Sequence, residues 1–128
     1  MSLRSPLGRV LGLGSAKSGS SHWYGQRVSA VALTLLGAWF AVSLATLGSF
    51  EHARVVGWLS SPLQSVLAAL LVITAAWHAA LGLQVVVEDY VAAKGTRVVV
   101  LLAIRFALIV AAVTGVLAVL RIAFGVAA

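Results

Sequence analysis

His78 stands inside an otherwise apolar run, Leu63 to Val87 (LQSVLAALLVITAAWHAALGLQVVV), as its single titratable side chain. A neutral imidazole in hydrocarbon costs free energy unless its ring nitrogens find partners, so three chemistries compete for it: metal or haem ligation, proton relay, and hydrogen bonding across a helix interface. At helical spacing Thr74 and Gly82 lie one turn to either side and Ala75 and Leu81 three residues away, which makes this face mostly small. Small neighbours leave room for a flat macrocycle and equally allow a close helix approach, so the ligand and packing readings stand side by side on the residues alone. A haem needs one or two axial ligands, and two histidines saturate the iron, which suits electron transfer. His22 precedes the first apolar run and His52 falls in the opposite loop, so a second ligand has to come from another chain.

The elements that must carry His78 are membrane helices. Val28 to Phe50 holds no charge over roughly 23 residues, where about 20 suffice to cross the hydrocarbon core. Residues 63–87 form a second span, with Pro62 suited to its first turn. Residues 98–124 form a third, interrupted by Arg105 and closed by Arg121, whose long side chains can snorkel toward opposite interfaces. The polar segment 1–27 carries Arg4, Arg9, Lys17 and Arg27 and lacks both the early apolar stretch and the cleavage site of a signal peptide, so it reads as retained. The joining segments, Glu51 to Ser61 and Glu88 to Arg97, are read as short loops. No internal repeat is evident.

Composition agrees. The chain has 128 residues, 62% of them hydrophobic and 9% charged, with a mean hydropathy of +1.09, far from the balance of a water-soluble domain. The expected fold is an all-α membrane protein of three transmembrane helices, completed as a helix bundle by partner subunits. The absence of cysteine excludes disulfides, thiolate metal sites and cysteine-ligated iron-sulfur clusters within this chain. The net charge of +6 does not indicate nucleic acid, because the basic residues are dispersed and sit beside apolar spans. Arg4, Arg9, Lys17, Arg27, Lys94 and Arg97 fall on one side of a three-span topology, against Arg54 and Arg121 on the other, which puts the N-terminus in the cytoplasm or matrix.

Three stretches carry a family resemblance: GLGSAK (Gly12 to Lys17) followed by HWYGQRVSA (His22 to Ala30), the segment WHAALGLQVVVEDYV (Trp77 to Val91), and the intervals between spans. Over nearly its whole length the chain resembles the small hydrophobic membrane-anchor subunit of bacterial and mitochondrial succinate dehydrogenase, respiratory complex II. The combination of His78, Gly82, Asp89 and Tyr90 is its most specific part. The resemblance implies that His78 is an axial ligand of a haem b shared with a histidine of the larger cytochrome b anchor subunit, and that Arg27 meets the haem propionates. It implies that Tyr90 hydrogen-bonds a ubiquinone carbonyl oxygen, with Asp89 its acidic neighbour. The chemistry is apt: a phenol donor stabilises charge developing on a quinone oxygen, and guanidinium pairs with carboxylate in a bidentate fork. It further implies a flavoprotein subunit and an iron-sulfur subunit as partners, which hold the FAD and the clusters and oxidise succinate, so this chain has no succinate-oxidising site of its own.

Simpler roles stand beside these. An interfacial tyrosine is commonly an aromatic anchor and an interfacial arginine a positive-inside anchor or lipid headgroup contact. Trp23, Trp39, Trp58 and Trp77 read as interface anchors or packing, Arg105 as a snorkelling or intersubunit charge, and His22 receives no role. The alternative function is a free-standing haem b cytochrome in which two copies each donate His78; a third class is a small transporter or structural assembly subunit. The short, uncleaved-looking start favours a bacterial inner membrane over the mitochondrial one.

Overall fold

The computed structural model describes residues 19–126. Arg4, Arg9, Lys17 and the Gly12 to Lys17 motif lie outside the described residues. The described residues form four helices: α1, Gly19–Thr46; α2, His52–Leu59; α3, Pro62–Tyr90; and α4, Lys94–Ala123. The three long ones run 28, 29 and 30 residues, or about 42–45 Å at 1.5 Å per residue, against a hydrocarbon core of about 30 Å. All three are long and apolar enough to cross a membrane.

Because the helices outrun the apolar core, their ends extend into the polar margins. α1 begins at Gly19 and carries His22 and Arg27 on its first turns, and α3 continues through Glu88, Asp89 and Tyr90. Backbone hydrogen bonds, rather than the edge of hydrophobicity, decide where a helix stops. The segment after Phe50, read above as loop, contains the eight-residue helix α2.

Helix α3 is the central element. Both α1 and α4 pack along it, while the backbones of α1 and α4 do not approach each other. The contacts show antiparallel neighbours: Gly25 faces Leu81, Ser29 faces His78 and Trp39 faces Gln64 across α1 and α3, and Gly115 faces Val72 across α4 and α3. The α3–α4 link is only Val91 to Ala93, and Arg97 locks it by donating from Nε and Nη2 to the Val91 carbonyl at 2.9 and 2.8 Å. At the other end α1 stops at Leu47 and Gly48, the glycine taking a positive φ of 76° that L side chains adopt at a cost. There Trp58 of α2 stacks on Trp39 at 5.8 Å between ring centroids, and Trp39 Nε1 donates to Gln64 Oε1 at 3.1 Å.

Very little of this arrangement is buried. Among the described residues the buried apolar side chains are Leu47, Ala68, Val87 and Val119, whereas Leu35, Phe106 and Ile109 are each more than half exposed. In a bilayer such surfaces meet lipid or other helices, and association there is driven by packing and polar contacts rather than by flight from water.

Candidate functional site

The most enclosed side chain of the described residues is polar. Ser29 on α1 has no exposed surface, and its Oγ lies 2.9 Å from His78 Nδ1 on α3 and 3.1 Å from the carbonyl oxygen of Gln26. Helical hydroxyls bond back to carbonyls three or four residues earlier as a rule, and Thr34, Thr46 and Ser65 do so here at 2.9 to 3.2 Å. The Ser29 hydroxyl has one proton to give, and its local helix geometry directs that proton to Gln26. With that proton on Gln26, Oγ is left to accept from Nδ1–H of His78, and the tautomer assigned in this way carries a lone pair on Nε2. This assignment satisfies all three groups. Nε2 has no hydrogen-bond partner among the described residues and is not enclosed, so it opens from the chain's surface.

One turn along α3, Gly82 faces α1: a Cβ there would stand in ordinary contact, 3.7 Å from Gln26 Nε2. Beside it an open groove of about 600 Å³ is lined by His22, Gln26, Gly82, Gln84 and Glu88, among others. Two atoms in this region, His22 Nε2 and Gln26 Oε1, are buried with no hydrogen-bond partner. Polar atoms in that condition are costly and call for a partner from outside the chain. His22, given no role by sequence, therefore lines the same polar groove as Gln26 and Glu88.

Arg27, two residues before Ser29, is exposed, with its guanidinium carbon 5.4 Å from the centre of the Trp23 ring. That cation–π contact leaves the guanidinium's in-plane donors unengaged by any side chain of the described residues. Tyr90 and Asp89 end α3 twelve and eleven residues beyond His78, about 18 Å along the helix axis. Tyr90 is 85% exposed, and neither it nor Asp89 has a side-chain partner among the described residues. The structure brings together only His78 and Ser29; Arg27, two residues from Ser29, projects from another face of α1 against Trp23, and Asp89 and Tyr90 stand at the end of α3. Among the described residues no three His, Asp or Glu side chains gather to hold a metal ion; His78 offers a single donor.

Two features escaped sequence reasoning. Ser29 looks like any small residue of a membrane helix, although its place two residues after Arg27 within HWYGQRVSA is a signal in retrospect. Gln84 is the other: its Oε1 accepts from Arg105 Nη2 at 2.8 Å and its Nε2 donates to Glu88 Oε1 at 2.8 Å, joining α4 to the end of α3.

Residues 1–125 match the profile of the family described as "Succinate dehydrogenase/Fumarate reductase transmembrane subunit". The chain is 36% identical over 104 residues to a protein of Rickettsia bellii named succinate dehydrogenase hydrophobic membrane anchor subunit, covering 80% of this chain and 82% of the relative. Proteins of the same name from Rickettsia conorii and Paracoccus denitrificans are 34% and 31% identical, over 82% and 80% of this chain and 84% and 81% of theirs.

Proposed function

The chain belongs to the succinate dehydrogenase/fumarate reductase transmembrane subunit family, and we propose that it is the hydrophobic membrane anchor of a succinate dehydrogenase that supplies one axial ligand, His78, to a haem b and part of a ubiquinone-reduction site at Tyr90 and Asp89. The observation that carries the reading is the state of His78: Nδ1 tied down inside the chain by Ser29, Nε2 free and facing out. An imidazole that only bridges α1 and α3 needs one nitrogen for that contact and has no use for the second. A metal-ligating histidine, in contrast, engages one nitrogen with a fixed partner and offers the other.

The residues fit a haem on further grounds. The helical neighbours Thr74, Ala75 and Gly82 of His78 are small, and Arg27 on α1 keeps its in-plane donors free for a carboxylate. His78, together with a histidine of a larger cytochrome b anchor, would hold a haem b, which would supply one-electron storage when bound. At the other end of α3, the Tyr90 hydroxyl donates to a quinone oxygen as negative charge develops on it, and the Asp89 carboxylate supports proton delivery at that surface. Tyr90 stands exposed, so the rest of such a pocket belongs to partner chains. The flavin that oxidises succinate resides in a flavoprotein subunit, and the clusters that pass its electrons on reside in an iron-sulfur subunit. Bacterial relatives and three apolar helices support the bacterial inner membrane. Arg27, Lys94 and Arg97 share one side and support a cytoplasmic N-terminus.

Purification of the native complex in mild detergent tests this. The expected result is co-purification with a flavoprotein, a cysteine-rich iron-sulfur protein and a second histidine-bearing anchor, with a reducible haem b spectrum. A haem-bearing homodimer without those partners would instead establish the free-standing cytochrome, and a complex with no reducible haem would remove the ligand role.

A further inference from the structure

We propose, resting on the reading of His78 as an iron ligand, that Ser29 is its positioning residue: the buried hydroxyl holds His78 in the Nδ1–H tautomer and keeps the Nε2 lone pair directed out of the chain. Three observations on this chain carry it. Ser29 has no exposed surface, so its oxygen is served by the chain itself rather than by lipid or water. Its proton is directed to the Gln26 carbonyl, as the geometry of helical hydroxyls requires, leaving the oxygen able only to accept from His78. The contact crosses from α1 to α3, so the orientation of the ring depends on the packing of these two helices.

The consequences are specific. An acceptor at Nδ1 fixes the plane of the imidazole and raises the donor strength of Nε2, which favours the ferric over the ferrous state of a bound haem. Without the hydroxyl, Nδ1–H loses its acceptor, the ring is free to turn about its last torsion, and the opposite tautomer, which cannot ligate through Nε2, becomes accessible. Loss of a partner of this kind costs about 10- to 100-fold in affinity for the bound group.

The test uses the assembled complex with Ser29→Ala, Ser29→Thr and His78→Ala, measuring the haem-to-flavin ratio, the redox titration of the haem absorbance and the low-spin electron paramagnetic resonance signal. Succinate oxidation with an artificial acceptor serves as the assembly control. Expected for Ser29→Ala are normal flavin content, a lower haem ratio, a raised midpoint potential and a broadened low-spin signal, with Ser29→Thr returning all of these toward wild type because it keeps the hydroxyl. Where the alanine variant does not assemble, Ser29→Cys, whose sulfur is a weak acceptor of similar size, is read in the same way. A potential and low-spin signal unchanged in Ser29→Ala or Ser29→Cys, with haem lost in His78→Ala, overturns the role of Ser29 alone. Haem retained unchanged in His78→Ala overturns the ligand reading beneath it.

Discussion

Arg105 of α4 and Gln84 of α3 are joined within the membrane-spanning region, guanidinium Nη2 to amide Oε1, at 2.8 Å. The same amide turns its Nε2 to the Glu88 carboxylate, also at 2.8 Å. One neutral side chain thus links a cation to an anion, and the opposite charges at its two ends fix which way the amide points. A helical side chain leans toward the N-terminus of its helix, and for Arg105 that is the end of α4 nearest Tyr90. The arginine therefore reaches toward the surface on which Glu88 stands. Replacing Gln84 by Leu removes both bonds. Polar contacts between membrane helices contribute about 0.6 kcal/mol each on average and up to about 1.7, so the variant should lower complex stability by roughly 1–3 kcal/mol. A fall in the thermal midpoint of the purified complex checks this.

His78→Ala should abolish or greatly weaken haem binding, by more than about tenfold in retained haem, since one of two axial bonds is gone. The reduced-minus-oxidised absorption spectrum of the purified complex reads it directly. An unchanged spectrum counts against the ligand role.

Tyr90→Phe removes a single hydroxyl from an exposed helix end and disturbs no contact among the described residues, so the fold should not notice it. The expected loss is in quinone reduction alone, about tenfold if the phenol contributes one ordinary hydrogen bond to the developing charge. Succinate oxidation with an artificial acceptor should stay largely intact. Equal losses in both assays would move the defect away from the quinone.

Much of the architecture was legible because a membrane imposes a length: an apolar run near 20 residues has few alternatives to a spanning helix. That argument says nothing about α2, whose His52–Leu59 stretch is short, mixed in polarity and anchored by Trp58 on Trp39, a contact between segments distant in sequence. His78 was legible because an imidazole in hydrocarbon demands explanation. Ser29 was not, since a serine in a membrane helix can satisfy itself on its own backbone, as Ser65 does with Pro62. Gln84 and Arg105 likewise required the register of α3 against α4 before either had a partner. Tyr90 and Asp89 depended on family resemblance, because an exposed helix end carries no physical signature of what later covers it.

That register rests on one close approach. A Cβ built on Gly115 of α4 would stand 3.0 Å from Val72 Cγ1 on α3, with Cγ2 at 3.6 Å, inside the roughly 3.5–4.0 Å at which carbon atoms attract. Val72 cannot readily step aside, because a helical valine is held largely to one rotamer. The strain from a larger residue must then be relieved by moving the helices apart. Gly115→Leu should cost about 1–3 kcal/mol by overpacking, and any displacement of α4 stretches the Arg105–Gln84 contact on the same pair of helices. Gly37 offers the contrast, because nothing lies within 4 Å of the Cβ it would carry; Gly37→Ala should leave stability unchanged or raise it by up to about 1 kcal/mol through helix propensity. Thermal midpoints of the two purified variants should therefore move in opposite directions or, at least, diverge by several degrees. If Gly115→Leu were as stable as Gly37→Ala, α3 and α4 would not be packed through this glycine, and the bridge from Arg105 to Glu88 would need a different explanation.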